Sequence, residues 1–147
     1  MNQSYLIGID IGTSACKVAL FDRSGCVLAA ANGDYPVYYP KEGWAEQNPE
    51  EWWSAVCGAV RQVIEEASVA PEEIAGVGID GQSWSAIAID RNGHVLTNTP
   101  IWMDTRAQSI CDRLNEEIGA EAIFEVAGNS LQPSYATAKI LWYKENL

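Results

Sequence analysis

A short apolar strand that runs into an acid and a glycine turn constrains this chain more than any other stretch. Residues 5–9 (Tyr-Leu-Ile-Gly-Ile) carry the β-branched and aromatic side chains that suit a buried strand, and Asp10 follows them. Burial would penalise an isolated carboxylate heavily, so the acid belongs at the lip of a hairpin. Gly12-Thr13-Ser14 supplies the turn, and the apolar residues 18–21 return as a second strand. Asp10 at such a lip can hold a hard cation, directly or through its waters. Gly12, Thr13 and Ser14 offer backbone N–H groups and hydroxyls to phosphate oxygens, and Lys17 adds a point charge nearby. The same residues also suit a plain hairpin in which Asp10 and Thr13 satisfy their own turn. A P-loop is excluded, because no glycine stands directly before Lys17 and the residues after it favour β structure over a helix.

Bulk properties narrow the ligand class. The chain has 147 residues, about one domain, with 48% apolar and 20% charged residues. A net charge of −11 leaves no basic stripe to displace counterions from a nucleic-acid backbone. An anionic nucleotide stays open as a ligand, since Mg²⁺ and local N–H groups can supply the positive field. Cys16, Cys26, Cys57 and Cys111 form no C-x-x-C pair and read as reduced thiols. No apolar run approaches 18 residues and the N-terminus lacks a signal-peptide layout, so the chain reads as cytoplasmic and soluble, without a membrane partner.

Along the chain, the hairpin leads through the turn at residues 22–25 to a third strand over 26–31, an antiparallel meander. Residues 32–47 form a loop broken by Pro36, Pro40 and Gly43, with Tyr35, Tyr38, Tyr39 and Trp44 as exposed-looking aromatics that either stack on a sugar or pin the loop. Asn48, Pro49 and Glu51 announce a helix whose stripe is Trp52, Val56, Ala59, Val60, Val63 and Ala67, ending before Pro71. Residues 74–80 predict a strand that again ends in an acid, Asp80, followed by Gly81-Gln82-Ser83-Trp84. A further strand is expected over 85–90, with a turn at 91–94 in which His94 is solvated. Asp104 or Thr105 can cap the next helix, whose stripe is Ala107, Ile110, Cys111, Leu114 and Ile118 and whose stop is Gly119. Trp102, Asp104 and Arg106 also combine an aromatic face, a charged acceptor and a planar donor fork, a mix that suits a polyol. Short helices follow over 120–127 and from Ser134 onward, and Leu147 falls inside a still-periodic pattern, which reads as a piece of a longer protein.

Asp10-Ile11-Gly12-Thr13-Ser14 with Lys17 resembles the first phosphate motif of the actin-like, sugar-kinase and heat-shock ATPase superfamily. Four later segments resemble the FGGY carbohydrate kinases in the family's order, and the set looks most like the xylulose kinases. These are Gly43-Trp44-Ala45-Glu46-Gln47 with Trp52-Trp53, Gly78-Ile79-Asp80-Gly81-Gln82, Trp102-Met103-Asp104-Thr105-Arg106, and Ala136-Thr137-Ala138-Lys139-Ile140-Leu141-Trp142. The resemblance implies an α/β fold of the actin-like, ribonuclease-H-like type. It makes residues 1–147 the N-terminal, sugar-binding domain of a two-domain kinase whose nucleotide domain is absent from this chain. It implies ATP and Mg²⁺ as cofactors, a small-molecule sugar as the other partner, and room for a homodimer of the full-length protein. Asp10 is expected at the metal, Thr13, Ser14 and Lys17 at the phosphates, and Gln82, Ser83, Trp84, Trp102 and Asp104 at the sugar. The catalytic base is expected beyond Leu147. The implied reaction is phosphorylation of a primary hydroxyl of a ketopentose, D-xylulose to D-xylulose 5-phosphate, with L-ribulose, gluconate, glycerol or a deoxy-sugar as alternatives. A non-kinase actin-like ATP-binding module is the alternative of a different class. Asp80 and Ser83-Trp84 depart from the serine and Met-His that many xylulose kinases carry, and that departure bears on which hydroxyls are matched.

Overall fold

A computed structural model describes residues 4–147. They divide into two compact units, residues 4–36 with 49–82, and Val37–Asn48 with Ser83–Leu147.

The first unit is a four-stranded sheet with one long helix. Strands β1 (Tyr5–Ile11), β2 (Ala15–Asp22) and β3 (Val27–Asp34) form the expected antiparallel meander, and β5 (Ile74–Gly81) joins β1 in parallel, giving the order β3-β2-β1-β5. The strands alternate as a period of two demands. Ile7, Ile9, Cys16, Val18, Leu20, Ala29 and Ala31 are buried on one face. Helix α1 (Pro49–Ala67) lays Trp52, Val56, Ala59 and Val63 into the core, the expected stripe. The helix comes very close at Gly33, where a Cβ would lie 2.8 Å from that of Ala55. Its run stops where Ser68 turns left-handed (φ 53°), ahead of Pro71. Tyr35, one of the aromatics expected either to stack on a sugar or to pin the loop, is buried and does the second. Its hydroxyl donates to the Gly12 carbonyl at 2.6 Å and its ring lies 6.5 Å from that of Trp52, so it braces the β1–β2 turn from behind.

The second unit is mostly helical. A minimal sheet pairs β4 (Glu46–Gln47) with β6 (Thr99–Pro100). Helices α2 (Gln108–Ile118), α3 (Ala120–Ala127) and α4 (Ala136–Asn146) follow, with Ala107, Cys111 and Ala138 packed together under Leu131 and Trp142. Gly119 (φ 95°) stops α2 as expected and Gly128 (φ 69°) stops α3, both in backbone conformations that favour glycine.

Two local expectations are overturned here. Neither Asp104 nor Thr105 caps α2: the residue before the helix is Ala107, with no side-chain cap, while Thr105 bonds the Gly43 carbonyl and Asp104 is used elsewhere. The strand expected over 85–90 is absent as well. Only a single bridge joins Ile89 to Val95 around the 91–93 turn. Across that bridge Leu96 N–H donates to Ala88 O and Asp90 N–H to His94 O, each at 2.9 Å, while ahead of it Trp84 O accepts from Lys139 and Ala86 O from Tyr143. His94 does sit in the turn, exposed, with its ring nitrogen 3.1 Å from Asp90. Among the described residues no helix is long and apolar enough to cross a membrane.

Candidate active site

Strand register writes one polar row across the first unit. Asn32 pairs with Lys17, Lys17 with Asp10, and Asp10 with Asp80, so four polar side chains from four strands stand side by side on the sheet face opposite α1. One residue pair further down, Ala30, Ala19, Gly8 and Gly78 form a second row of the smallest residues. Polar rim and small-residue floor, with the Phe21 ring standing over Gly8, together make a groove of about 640 Å³. It lies at the carboxyl end of the parallel pair β1 and β5, the edge where open α/β sheets take ligands.

The sequence placed Asp10 at a lip, and the structure does too. Its side chain is half exposed and receives the Lys17 ammonium at 3.5 Å. The Gly12-Thr13-Ser14 turn beside it is closed by Gly12 N–H donating to Ala15 O at 3.0 Å and held from behind by Tyr35. Burial, with the charges of Cys16 and Asp10 nearby, pushes the Tyr35 phenol up to about 12, which keeps it a donor to that turn. Gln82 follows directly on β5, where its backbone N–H extends the ladder to Ile11 O at 2.9 Å.

This chemistry fits a Mg²⁺–phosphate pair. Mg²⁺ is commonly held by one or two carboxylates, its remaining positions filled by water and substrate phosphate rather than by a closed protein cage. Asp10, with Asp80 beside it in register, offers that kind of partial shell, and among the described residues no group of three or more metal-ligating side chains is gathered. Lys17 brings an exposed cation to the same rim.

The remaining predicted residues, Ser83, Trp84, Trp102 and Asp104, lie in the second unit. Trp84 and Trp102 keep half-exposed rings, 50% and 44%. Asp104 differs from the expectation of a sugar contact. It is fully buried, and its carboxylate accepts from Ala45 N–H at 2.7 Å, from Arg106 N–H at 2.9 Å, and from Arg106 Nε and Nη2 at 3.0 and 2.8 Å. Arg106 in turn donates to Glu46 at 2.6 Å and lies 3.7 Å above the Trp44 ring. The charged acceptor and the donor fork are therefore spent on each other, as buried ions require, and they support the loop from beneath. Trp44, edge-on to Trp142 at 5.5 Å, pins its own loop in the same way.

Sequence reasoning passed over Lys139. It is buried to 1% exposure, with Nζ donating to Ile101 O at 2.8 Å and Trp84 O at 3.0 Å. Desolvation lowers it to about 8, with Asp104 opposing and Arg106 assisting. The available signal was a lysine inside the apolar run Ala138-Lys139-Ile140-Leu141.

A meander, a helix and a returning parallel strand, with an acid at the carboxyl end of each of two neighbouring strands, define a domain of the actin-like ATPase class. The chain belongs to the FGGY family of carbohydrate kinases, whose N-terminal domain it matches over residues 5–147. It is 35% identical over 144 residues to a glycerol kinase of Leifsonia xyli subsp. xyli, covering 97% of this chain and 28% of that protein. Against a xylulose kinase of Bacillus subtilis it is 34% identical over 142 residues, again 97% of this chain and 28% of the relative. Among solved structures, a gluconate kinase from Lactobacillus acidophilus superposes with a TM-score of 0.87 at 30% identity, over 97% of this chain and 28% of that one. The chain thus spans less than a third of the length of these relatives.

Proposed function

We propose that this domain carries the acceptor-binding and phosphate-positioning half of an ATP-dependent kinase acting on a primary hydroxyl of a small polyol, with D-xylulose as the leading acceptor. The observation that carries the reading is the row Asn32–Lys17–Asp10–Asp80 above a floor of glycine and alanine, a groove where metal and phosphate can meet backbone. In the transfer the hydroxyl oxygen forms a bond to the γ-phosphorus, the bond to ADP breaks, and the hydroxyl proton passes to a carboxylate base. That base is assigned to the remainder of the polypeptide, and a positioned base of this kind contributes about 10² to 10⁴ in rate.

Mg²⁺, when bound, offsets charge on the phosphate oxygens. Asp10 would hold it with its waters, and Asp80, its register partner on β5, would accept from those waters. Lys17 would leave Asp10 for a phosphate oxygen, its exposure making that swing inexpensive. Thr13 and Ser14 present the turn to the phosphates. Gln82 and Ser83 offer hydrogen bonds to sugar hydroxyls, and the rings of Trp84 and Trp102 offer faces to C–H groups. Asp104 acts by fixing the Trp102 loop.

The test is a coupled ADP-release assay on the full-length protein with D-xylulose, L-ribulose, D-gluconate and glycerol. Acceptor-stimulated ADP release with one of them is expected, D-xylulose first. ATP hydrolysis indifferent to every acceptor would instead identify an ATP-binding module of another kind. The 147-residue chain alone is expected to phosphorylate none of them.

A further inference from the structure

Three residues at the start and along one face of α4 grip the segment that follows β5. Tyr135, Lys139 and Tyr143 are spaced i, i+4, i+8 and so share a face. The Tyr135 ring lies 4.9 Å from that of Trp84. The Lys139 ammonium donates to Trp84 O at 3.0 Å and to Ile101 O at 2.8 Å, and the Tyr143 hydroxyl donates to Ala86 O at 2.8 Å. Trp84 is held with φ 65°, a conformation that a bulky residue adopts only when its surroundings impose it.

We propose that Lys139 is a positioning residue of the acceptor site: by tying the carbonyls of Trp84 and Ile101 to one nitrogen, it sets the Trp84 and Trp102 indoles as a preassembled wall for the carbon face of a polyol. The proposal rests on the kinase reading above for the identity of the ligand, and on the geometry alone for the clamp.

Stability does not call for a lysine at this place. A buried ammonium is costly to desolvate, and an apolar side chain of similar volume is often neutral or stabilising in its stead. What a methionine lacks is a donor for two carbonyls that belong to different segments, 17 residues apart in sequence. Those carbonyls sit in Trp84 itself and immediately before Trp102, the two half-exposed rings of the second unit expected at the sugar. Indoles gain little from contact with a polyol unless their orientation is fixed before binding, since ordering them would otherwise be charged against affinity. One fixed nitrogen between two main-chain oxygens does that without touching the ligand.

Lys139→Met, Lys139→Gln and Lys139→Arg in the full-length protein test this. In Lys139→Met the acceptor KM is expected to rise about tenfold or more, with the ATP KM and the acceptor-free ATP hydrolysis held within about twofold. Lys139→Arg, which keeps a charged donor, is expected to recover most of the loss; Lys139→Gln, with a shorter neutral donor, serves if the methionine variant does not fold. An unchanged acceptor KM, or a parallel rise for ATP, overturns the proposal. Independently of any acceptor, the indole N–H resonances of Trp84 and Trp102, assigned with Trp→Phe variants, should move in Lys139→Met while that of Trp53 stays. Fixed Trp84 and Trp102 signals defeat the clamp even in an active kinase; shifted signals in a protein that phosphorylates nothing support the clamp and defeat the kinase reading.

Discussion

Arg106 donates from Nε and Nη2 to the carboxylate of Asp104 at 3.0 and 2.8 Å in a place where neither side chain meets solvent, at 3% and 0% exposure. A pair so enclosed contributes little net stability while intact, yet breaking it strands a charge. Asp104→Asn is therefore expected to destabilise the fold by about 3 kcal/mol or more. Urea denaturation reads the loss. Arg106→Lys should also cost, because an ammonium cannot span both Asp104 and Glu46 as the planar fork does.

Two glycines of the sheet should respond oppositely to a side chain. At Gly33 an added Cβ would stand 2.8 Å from Ala55 Cβ and 2.9 Å from Ala55 O, so Gly33→Ala should lose about 1–3 kcal/mol as α1 is pushed off β3. At Gly78 nothing lies within 4 Å of the added carbon, and a β-branched residue suits a strand. Gly78→Val should keep or raise the unfolding midpoint. It should also fill the groove and weaken ATP binding, read by titration calorimetry on the full-length protein.

Asp10→Asn separates chemistry from folding. The side chain is half exposed with one weak partner, so the urea midpoint should hardly move. ATP-dependent phosphorylation by the full-length protein should fall by about 10²-fold or more, as expected for loss of a charge aimed at metal and phosphate. Wild-type kcat in this variant would remove Asp10 from the reaction.

The buried lysine and tyrosines leave signatures in alkaline stability. Lys139 titrates near 8 in the folded chain, below its ordinary 10.5. Between those values the unfolded state binds more protons, so this residue makes stability rise with pH. Tyr35 and Tyr143 are pushed by burial to about 12, above the ordinary 10. Across 10 to 12 the folded state holds the extra protons and stability falls. Urea midpoints from pH 7.5 to 11 should show the first slope reduced in Lys139→Met and the second reduced in Tyr143→Phe.

What the residues disclosed locally was what local physics decides. Alternation in residues 5–34 and the 3.6-residue stripe from Trp52 to Val63 announced the meander and α1, because each element's buried face is set within its own sequence. Asp10 was legible for the same reason: an acid closing an apolar strand has few places to go. The strand expected over 85–90 was not: Tyr143, 57 residues away in sequence, holds Ala86 O, and the pairing beyond it shrinks to one bridge. Asp104 was misread as a surface acceptor because a cap, a ligand contact and a buried ion look alike in sequence; only Ala45, Glu46 and Arg106 folded around it distinguish them. The aromatics of residues 32–47 divided likewise, Tyr35 turning inward while Tyr39 stays 66% exposed.

The row Ala30–Ala19–Gly8–Gly78 has a corollary for how the cleft measures a ligand. Nothing larger than a methyl rises from these four residues themselves, but the Phe21 ring also lines the groove and stands over Gly8, where an added Cβ would lie 3.3 Å from its Cε2. Clearance over Ala30, Ala19 and Gly78 is a dimension of the main chain, whereas over Gly8 it depends on how the Phe21 ring is turned. A molecule tested against that bed meets a gauge with an adjustable jaw, and Phe21 is the jaw.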